Sequence, residues 1–299
     1  MGRLCVEEHI REFLETLEQE KRYARNTVEA YRNDLTQLMY FAQNERPTAT
    51  QWSRVDKPLL LTFVMHLRER GYTASSVARK VAVLRTFFRF LGERRIVDGD
   101  PTATLGSPKV EKHLPQVLSA DELVRLMAVP LKNNTPKGLR DRAMLELLYA
   151  SGMRVTELTS LDVDDVDLQA QTVRVGREGK RRIVPIQERA TEALTQYVPR
   201  ARAELSAREG ERALFVNSHG DRLTRQGLWL IIKEYVQRAG ITLPVTPQTL
   251  RHSFAVHLLS QGADVQSVQH LLGHANLSTT QLYARLVETT ESDGAERGK

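Results

Sequence analysis

Apolar residues recur at helical spacing through residues 4–92 and then stop at a stretch that neither a helix nor a strand can cross. Residues 98–116, DGDPTATLGSPKVEKHLPQ, hold three prolines and two glycines without apolar periodicity. Such a segment is an extended linker. It divides the 299 residues into two domains, as the length also demands, because so long a chain exceeds most single cores. The spacing predicts a first domain over 1–97, a linker over 98–116, a second domain over 117–290 and a polar tail over 291–299.

The first domain reads as a four-helix bundle. Ile10, Phe13, Leu14 and Leu17 form one stripe; Val28, Tyr31, Leu35 and Leu38 form the next, entered through Asn26 with Glu29 three residues on. Leu60, Phe63, Val64 and Leu67 follow Pro58 and end near Gly71. Val77, Val81, Leu84, Phe88 and Leu91 make the fourth stripe, stopped by Gly92. Its off-core positions carry Arg79, Lys80, Arg85 and Arg89, which form either a solvated face or a row of phosphate contacts. In the linker, Lys109, Lys112 and His113 could track a phosphate backbone.

The second domain mixes helices with a few strands. Ser119 and Glu122 begin a helix, and 138–150 forms another. Thr172–Val175 alternates as a strand, and a glycine-bearing turn leads to Ile183, Val184 and Ile186 as its antiparallel partner. Leu214–Val216 reads as a further short strand. Thr246 and Pro247 start a helix ended by Gly262, and a shorter helix runs to Gly273. The expected fold is mostly α with a small antiparallel β-sheet.

Composition narrows the partners. A net charge of +6 and a basic balance of 43 Lys and Arg against 37 Asp and Glu favour a polyanion. The single Cys5 excludes an internal disulfide framework and a cysteine-rich zinc module. No signal peptide is apparent at the charged start, and no apolar run approaches about 18–20 residues, so a cytoplasmic protein is expected.

Four segments carry chemistry: SGMRVTEL with Arg154, TLRHSFAVHLL with Arg251, LLGHANLSTT with His274, and QLYARL with Tyr283. Two guanidiniums match phosphate oxygens, an imidazole donates or exchanges a proton, and a phenol needs such a polarised phosphate before it can attack. Any one of these residues could be structural. Their joint order and flanking words, spanning about residues 115–287, resemble the tyrosine recombinase (phage integrase) family, Xer-like members included.

The resemblance implies an N-terminal helical core-binding domain on DNA and a catalytic α+β domain. It implies that Tyr283 attacks a phosphate of double-stranded DNA, displaces a 5′-hydroxyl and leaves a 3′-phosphotyrosyl link. Arg154 and Arg251 would hold non-bridging oxygens, and His274 would donate to the same phosphate. No metal and no cofactor is implied, because the arginines supply the charge stabilisation. Glu157 is either a carboxylate that orients a guanidinium or an ordinary surface residue. His252 and His257 read as structural or DNA-proximal. His270 and His274 are four apart, but Gly273 should break the helix between them, so metal binding is not expected.

Two positions depart from the family pattern. Gln248 stands where the family has a histidine, and an amide donates a hydrogen bond but carries no proton. Arg177 stands at the hairpin position of the family's proton-donating lysine, for which it is a poor substitute; Lys180 in the same turn is the alternative. The implied assembly is a synaptic tetramer of one or two recombinases on paired sites, with a DNA translocase as a further partner. The implied role is chromosome dimer resolution or movement of mobile DNA. A DNA-binding accessory protein without chemistry and a type IB topoisomerase are the competing readings.

Overall fold

A computed structural model describes residues 2–47, 51–109, 114–132, 134–176, 181–205, 210–274 and 276–296, without the side chains of 2–5 and 289–296. Lys112, Arg177 and Lys180 lie outside the described residues. The chain separates into two compact units, Met1–Lys112 and His113–Lys299.

The first unit comprises α1 (Gly2–Gln19), α2 (Arg25–Glu45), α3 (Lys57–Glu69) and α4 (Ala74–Glu93). Their apolar stripes close on one core that includes Phe13, Leu35, Phe63 and Phe87, with Trp52 packed edge-on to Phe87. Asp56 and Thr73 cap α3 and α4 by accepting from the backbone N–H groups of Leu59 and Ser76. Two expected boundaries move. Helix α2 begins at Arg25 after Ala24, with no side-chain cap, so Asn26 lies inside its first turn. Helix α4 runs through Gly92 to Glu93, and Arg95 takes the left-handed turn at φ +57°. The start of the expected linker also packs on this unit, with Thr102 and Leu105 fully buried.

The expected basic face of α4 divides in two. Lys80 is buried, donating to Asp34 at 2.6 Å and to Gln37 at 2.7 Å, so it is an internal ion pair and not an off-core cation. Desolvating an ammonium is tolerable only beside such a partner. Arg79 also pairs with Asp34, and Arg85 donates to the Leu105 carbonyl at 2.5 Å. Arg89 and, farther along, Lys109 remain exposed.

The second unit holds α5 (Ala120–Ala128), α6 (Pro136–Ser151) and α7 (Val155–Ser160), then strands β1 (Val166–Asp167), β2 (Thr172–Val175) and β3 (Arg182–Pro185). Next come α8 (Glu188–Gln196), continued by a π-turn into α9 (Arg202–Leu205), and α10 (Arg225–Arg238). Finally α11 (Pro247–Ser260), α12 (Val265–Leu272) and α13 (Leu277–Glu296) complete it. The antiparallel sheet runs β1-β2-β3, with Val173 opposite Val184 and Val175 opposite Arg182. Val173, Val175 and Val184 face the core, while Ile183 on the opposite face is exposed. Leu214–Val216 forms no strand. It sits between isolated bridges at Ala213 and Val216, and its apolar side chains are buried between helices. The expected polar tail continues α13 as far as Glu296.

Helix α6 is buried nearly all round and is the axis of this unit, carrying Met144, Leu145, Leu147 and Leu148 in its core. It ends in Gly152 at φ +55°, where a Cβ would collide with the Phe254 ring and lie 2.8 Å from Leu272 Cδ2. No helix of the described residues is long and apolar enough to cross a membrane.

A first prediction follows from that glycine. A left-handed non-glycine residue costs about 1–2 kcal/mol, and overpacking adds about 1–3 kcal/mol. Gly152→Ala should therefore lower the unfolding free energy by about 2–5 kcal/mol in urea denaturation. A variant as stable as the parent would mean that Phe254 and Leu272 do not fix this turn.

Candidate active site

The site grows from helix ends. Gly152 closes α6 and Gly273 closes α12, both in the left-handed conformation that glycine adopts without strain. These turns expose carbonyl oxygens at the negative ends of two helices. Arg251, buried in α11, donates to both ends: Nη1 to the Gly152 carbonyl at 2.5 Å and Nη2 to the Leu272 carbonyl at 2.7 Å. Arg154 Nη2 donates to the Gly273 carbonyl at 3.0 Å. The two guanidiniums are thus anchored through backbone that side-chain substitution cannot remove.

Helix α11 is itself firmly seated. Thr246 accepts from the backbone N–H of Thr249, and Pro247 occupies the first turn, as the sequence predicts. Ser253 accepts from the backbone N–H of Leu118, while His257 bridges the Tyr149 hydroxyl and the Leu118 carbonyl. His257 is accordingly structural.

Glu157 is the hub of the charge network. Arg154 caps α7, and its backbone N–H donates to Glu157 Oε2 at 2.7 Å while its Nη1 reaches Oε1 at 3.3 Å. The stronger partner is Arg182 at the start of β3, which grips both carboxylate oxygens at 2.7 and 3.2 Å. Its Nε also donates to the Leu271 carbonyl at 3.0 Å. Burial alone would raise the Glu157 carboxyl, but the Arg182 hydrogen bond, the Arg154 backbone N–H and the two charges hold it below its ordinary range. Glu157 is therefore a carboxylate that orients guanidiniums, not an ordinary surface residue, and it holds two of them. Arg182 was invisible in the sequence, because only the folded hairpin brings β3 against α7.

Tyr283 comes from α13 and is 2% exposed. Its ring stacks on His274, with centroids 6.1 Å apart, and its hydroxyl meets His252 Nδ1 at 2.7 Å. His252 thus touches the phenol oxygen itself, a closer role than the structural or DNA-proximal one expected. His274 is held through Nδ1 by Thr280 at 2.9 Å. Gly273 separates His274 from α12, so His270 and His274 share no helical face.

Arg154, Gln248, Arg251, His252, His274 and Tyr283 all line one open cavity of about 760 Å³, joined by the exposed Arg225 at the start of α10. The cavity is electrostatically unsatisfied. Desolvation and the Arg154 charge lower Arg251 to about 10, although a guanidinium stays charged at neutral pH. Desolvation, then Arg251 and Arg154, push His274 down to about 4, leaving a neutral imidazole. Desolvation lowers His252 too, with Arg251 adding to it. Burial raises the Tyr283 phenol more than the two arginines lower it. Such a site favours an anion with several acceptor oxygens.

The Glu157–Arg182 pair is open to test. Removing one partner of a fully buried pair costs about 3–5 kcal/mol. These side chains keep 13% and 16% exposure, so Glu157→Gln and Arg182→Met should each cost less, about 1–3 kcal/mol. In a double-variant cycle by urea unfolding, the coupling should be about 0.5–3 kcal/mol. Strictly additive losses would show that the pair does not act as one unit.

Both units match one family of known proteins. Residues 116–289 match the phage integrase family, and residues 10–95 match the phage integrase N-terminal SAM-like domain. The chain is 45% identical over 282 residues to the tyrosine recombinase XerC of Herpetosiphon aurantiacus, covering 94% of this chain and 91% of that protein. It is 43% identical to the tyrosine recombinase XerD of Staphylococcus epidermidis, covering 93% of each. The crystal structure of XerA recombinase superposes with a TM-score of 0.55 at 28% identity over 98% of both chains. A XerH site-specific recombinase bound to palindromic difH substrate, in a post-cleavage complex, shares the fold with a TM-score of 0.74 at 20% identity; the match covers 96% of this chain and 84% of that one. The chain belongs to the phage integrase family and is a Xer-like tyrosine recombinase.

Proposed function

We propose that this protein cuts and rejoins double-stranded DNA at specific sites, with Tyr283 as the nucleophile. The observation that carries this reading is the convergence of Arg154, Arg251, His274 and Tyr283 on one cavity. The Tyr283 oxygen attacks phosphorus in line, the bond to the 5′-oxygen breaks, and a 3′-phosphotyrosyl ester results. A second strand's 5′-hydroxyl then reverses the step and exchanges strands.

Each group has a part. Arg154 and Arg251 neutralise the two non-bridging oxygens, and because helix carbonyls already hold them they need little reorganisation. Thr280 meets His274 Nδ1 at 2.9 Å; in the tautomer where the hydroxyl donates to Nδ1, His274 carries its proton on Nε2 and donates it to the phosphate. The phosphate's negative charge offsets the Arg154 and Arg251 charges that depress the histidine. Gln248 lines the same cavity and donates an amide hydrogen bond where the family has a histidine. Lys180 protonates the departing 5′-oxygen, and Arg177 binds phosphate. Glu157, with Arg182, positions Arg154.

Duplex DNA is also contacted by Arg89, Lys109 and Lys112, and more weakly by Arg79 and Arg85, whose guanidiniums are already engaged. Lys80 leaves this set because it is buried against Asp34. The active assembly is a tetramer on two paired sites, formed by this chain alone or with a second recombinase, and a DNA translocase acts on it. Similarity to proteins named XerC and XerD along nearly the whole chain favours chromosome dimer resolution over mobile-element movement.

Tyr283→Phe should abolish the denaturant-resistant protein–DNA adduct on a nicked duplex while leaving DNA binding within about twofold, since binding rests on many phosphate contacts. An adduct formed by the Phe variant would end the assignment. For the hairpin, Lys180→Ala should slow cleavage by about 10²–10⁴-fold, the scale of a positioned proton donor. A 5′-bridging sulfur, which leaves without protonation, should restore most of that rate. Arg177→Ala should stay slow on both substrates. Rescue of Arg177→Ala and not of Lys180→Ala would exchange the two roles.

A further inference from the structure

A buried phenol must lose its proton as it attacks, and among the described residues few acceptors surround Tyr283. Gln248 has no titratable group. Glu157 is held in its charged form by Arg182 and Arg154. His274 stacks on the Tyr283 ring, but its Nδ1 is committed to Thr280. Among the described residues, the Tyr283 hydroxyl bonds to His252, at 2.7 Å, with the two rings tilted at 48°. Position 252 is fixed by its neighbours on α11: Arg251 is locked to two carbonyls and Ser253 to the Leu118 backbone.

We propose that His252 Nδ1 is the base that takes the Tyr283 proton as the phenol oxygen attacks the phosphate, an assignment that rests on Tyr283 being the nucleophile. In this step the bond from Tyr283 Oη to phosphorus forms as the bond from phosphorus to the 5′-oxygen breaks. The phenolic proton moves to Nδ1, and the 5′-oxygen takes its proton from the separate donor assigned to Lys180. On religation the imidazolium returns its proton to the phenol. Among the described residues, the titratable and charged groups facing His252 are Arg251 on its own helix, Tyr283 on α13 and His274 between α12 and α13. Desolvation first, and then the Arg251 charge, favour the neutral ring, the form that accepts a proton. The new imidazolium would face Arg251, which disfavours it, but the phosphate adjoining both compensates. His252 would thus supply the basicity that Gln248 lacks.

The test first recovers the DNA fragment cross-linked to the protein in cells, then measures adduct formation and DNA retention on a nicked duplex of that sequence. His252→Gln keeps a hydrogen-bonding group but cannot take a proton. It should slow adduct formation by about 10²–10⁴-fold with DNA retention unchanged. Replacing Tyr283 by a fluorinated, more acidic tyrosine should restore at least about tenfold of that rate in the Gln background and change the parent little. The parent rate should fall as pH drops through the lowered His252 pKa, and the Gln variant should lack that limb. A parent-like rate in His252→Gln, or a loss that the acidic phenol does not restore, overturns the proposal. If the Gln variant fails to retain DNA, His252→Asn is judged by the same rescue. An adduct formed by Tyr283→Phe in the same assay would instead refute the nucleophile itself.

Discussion

Two glycines in the left-handed conformation hold the active centre together. Gly152 and Gly273 end α6 and α12, and the carbonyls around those turns receive the guanidiniums of Arg251 and Arg154. Like charges in a half-buried cleft repel, and the negative ends of the two helices offset part of that cost. Phe254 and Leu272 leave no room for a Cβ at Gly152, so core packing and cation placement share one turn. At Gly273 the would-be Cβ lies 3.1 Å from Arg182, the cation that clamps Glu157. The core of the second unit and the geometry of its site are therefore a single construction.

The electrostatic consequence is a site that awaits an anion. Arg251 is lowered to about 10 and His274 to about 4, each by desolvation first and by neighbouring positive charge next. Glu157 is the carboxylate that answers them, and it is already shared between Arg154 and Arg182. A phosphodiester would bring the missing negative charge together with oxygens spaced for two guanidiniums. Burial raises the Tyr283 phenol, so its proton must be taken by another group before the oxygen can act as a nucleophile.

Much of this was legible in the sequence wherever one residue type is forced by local chemistry. Thr246 with Pro247, the Ser119–Glu122 capping box, Gly273 and the β2–β3 pairing all appear as the local rules predict. The four catalytic candidates, read from their motifs, line one cavity. What escaped depends on contacts between distant segments. Arg182 looks like any strand cation until the hairpin meets α7. His252 looks like a helix-face residue until α13 lays Tyr283 against it. Lys80 looks exposed by periodicity alone, and only the buried Asp34 on α2 explains its inward course. Leu214–Val216 has strand-like residues but no neighbouring strand to pair with beyond isolated bridges.

Covalent joining of the Tyr283 phenol to a 3′-phosphate of DNA is the event on which the proposed function stands. Its most direct test is mass spectrometry of the trapped protein–DNA complex after protease and nuclease digestion. One modified peptide is expected, containing Tyr283 and carrying a nucleotide through its 3′-phosphate, together with a free 5′-hydroxyl on the released strand. A nucleotide on any other residue, or a link through a 5′-phosphate, would contradict it.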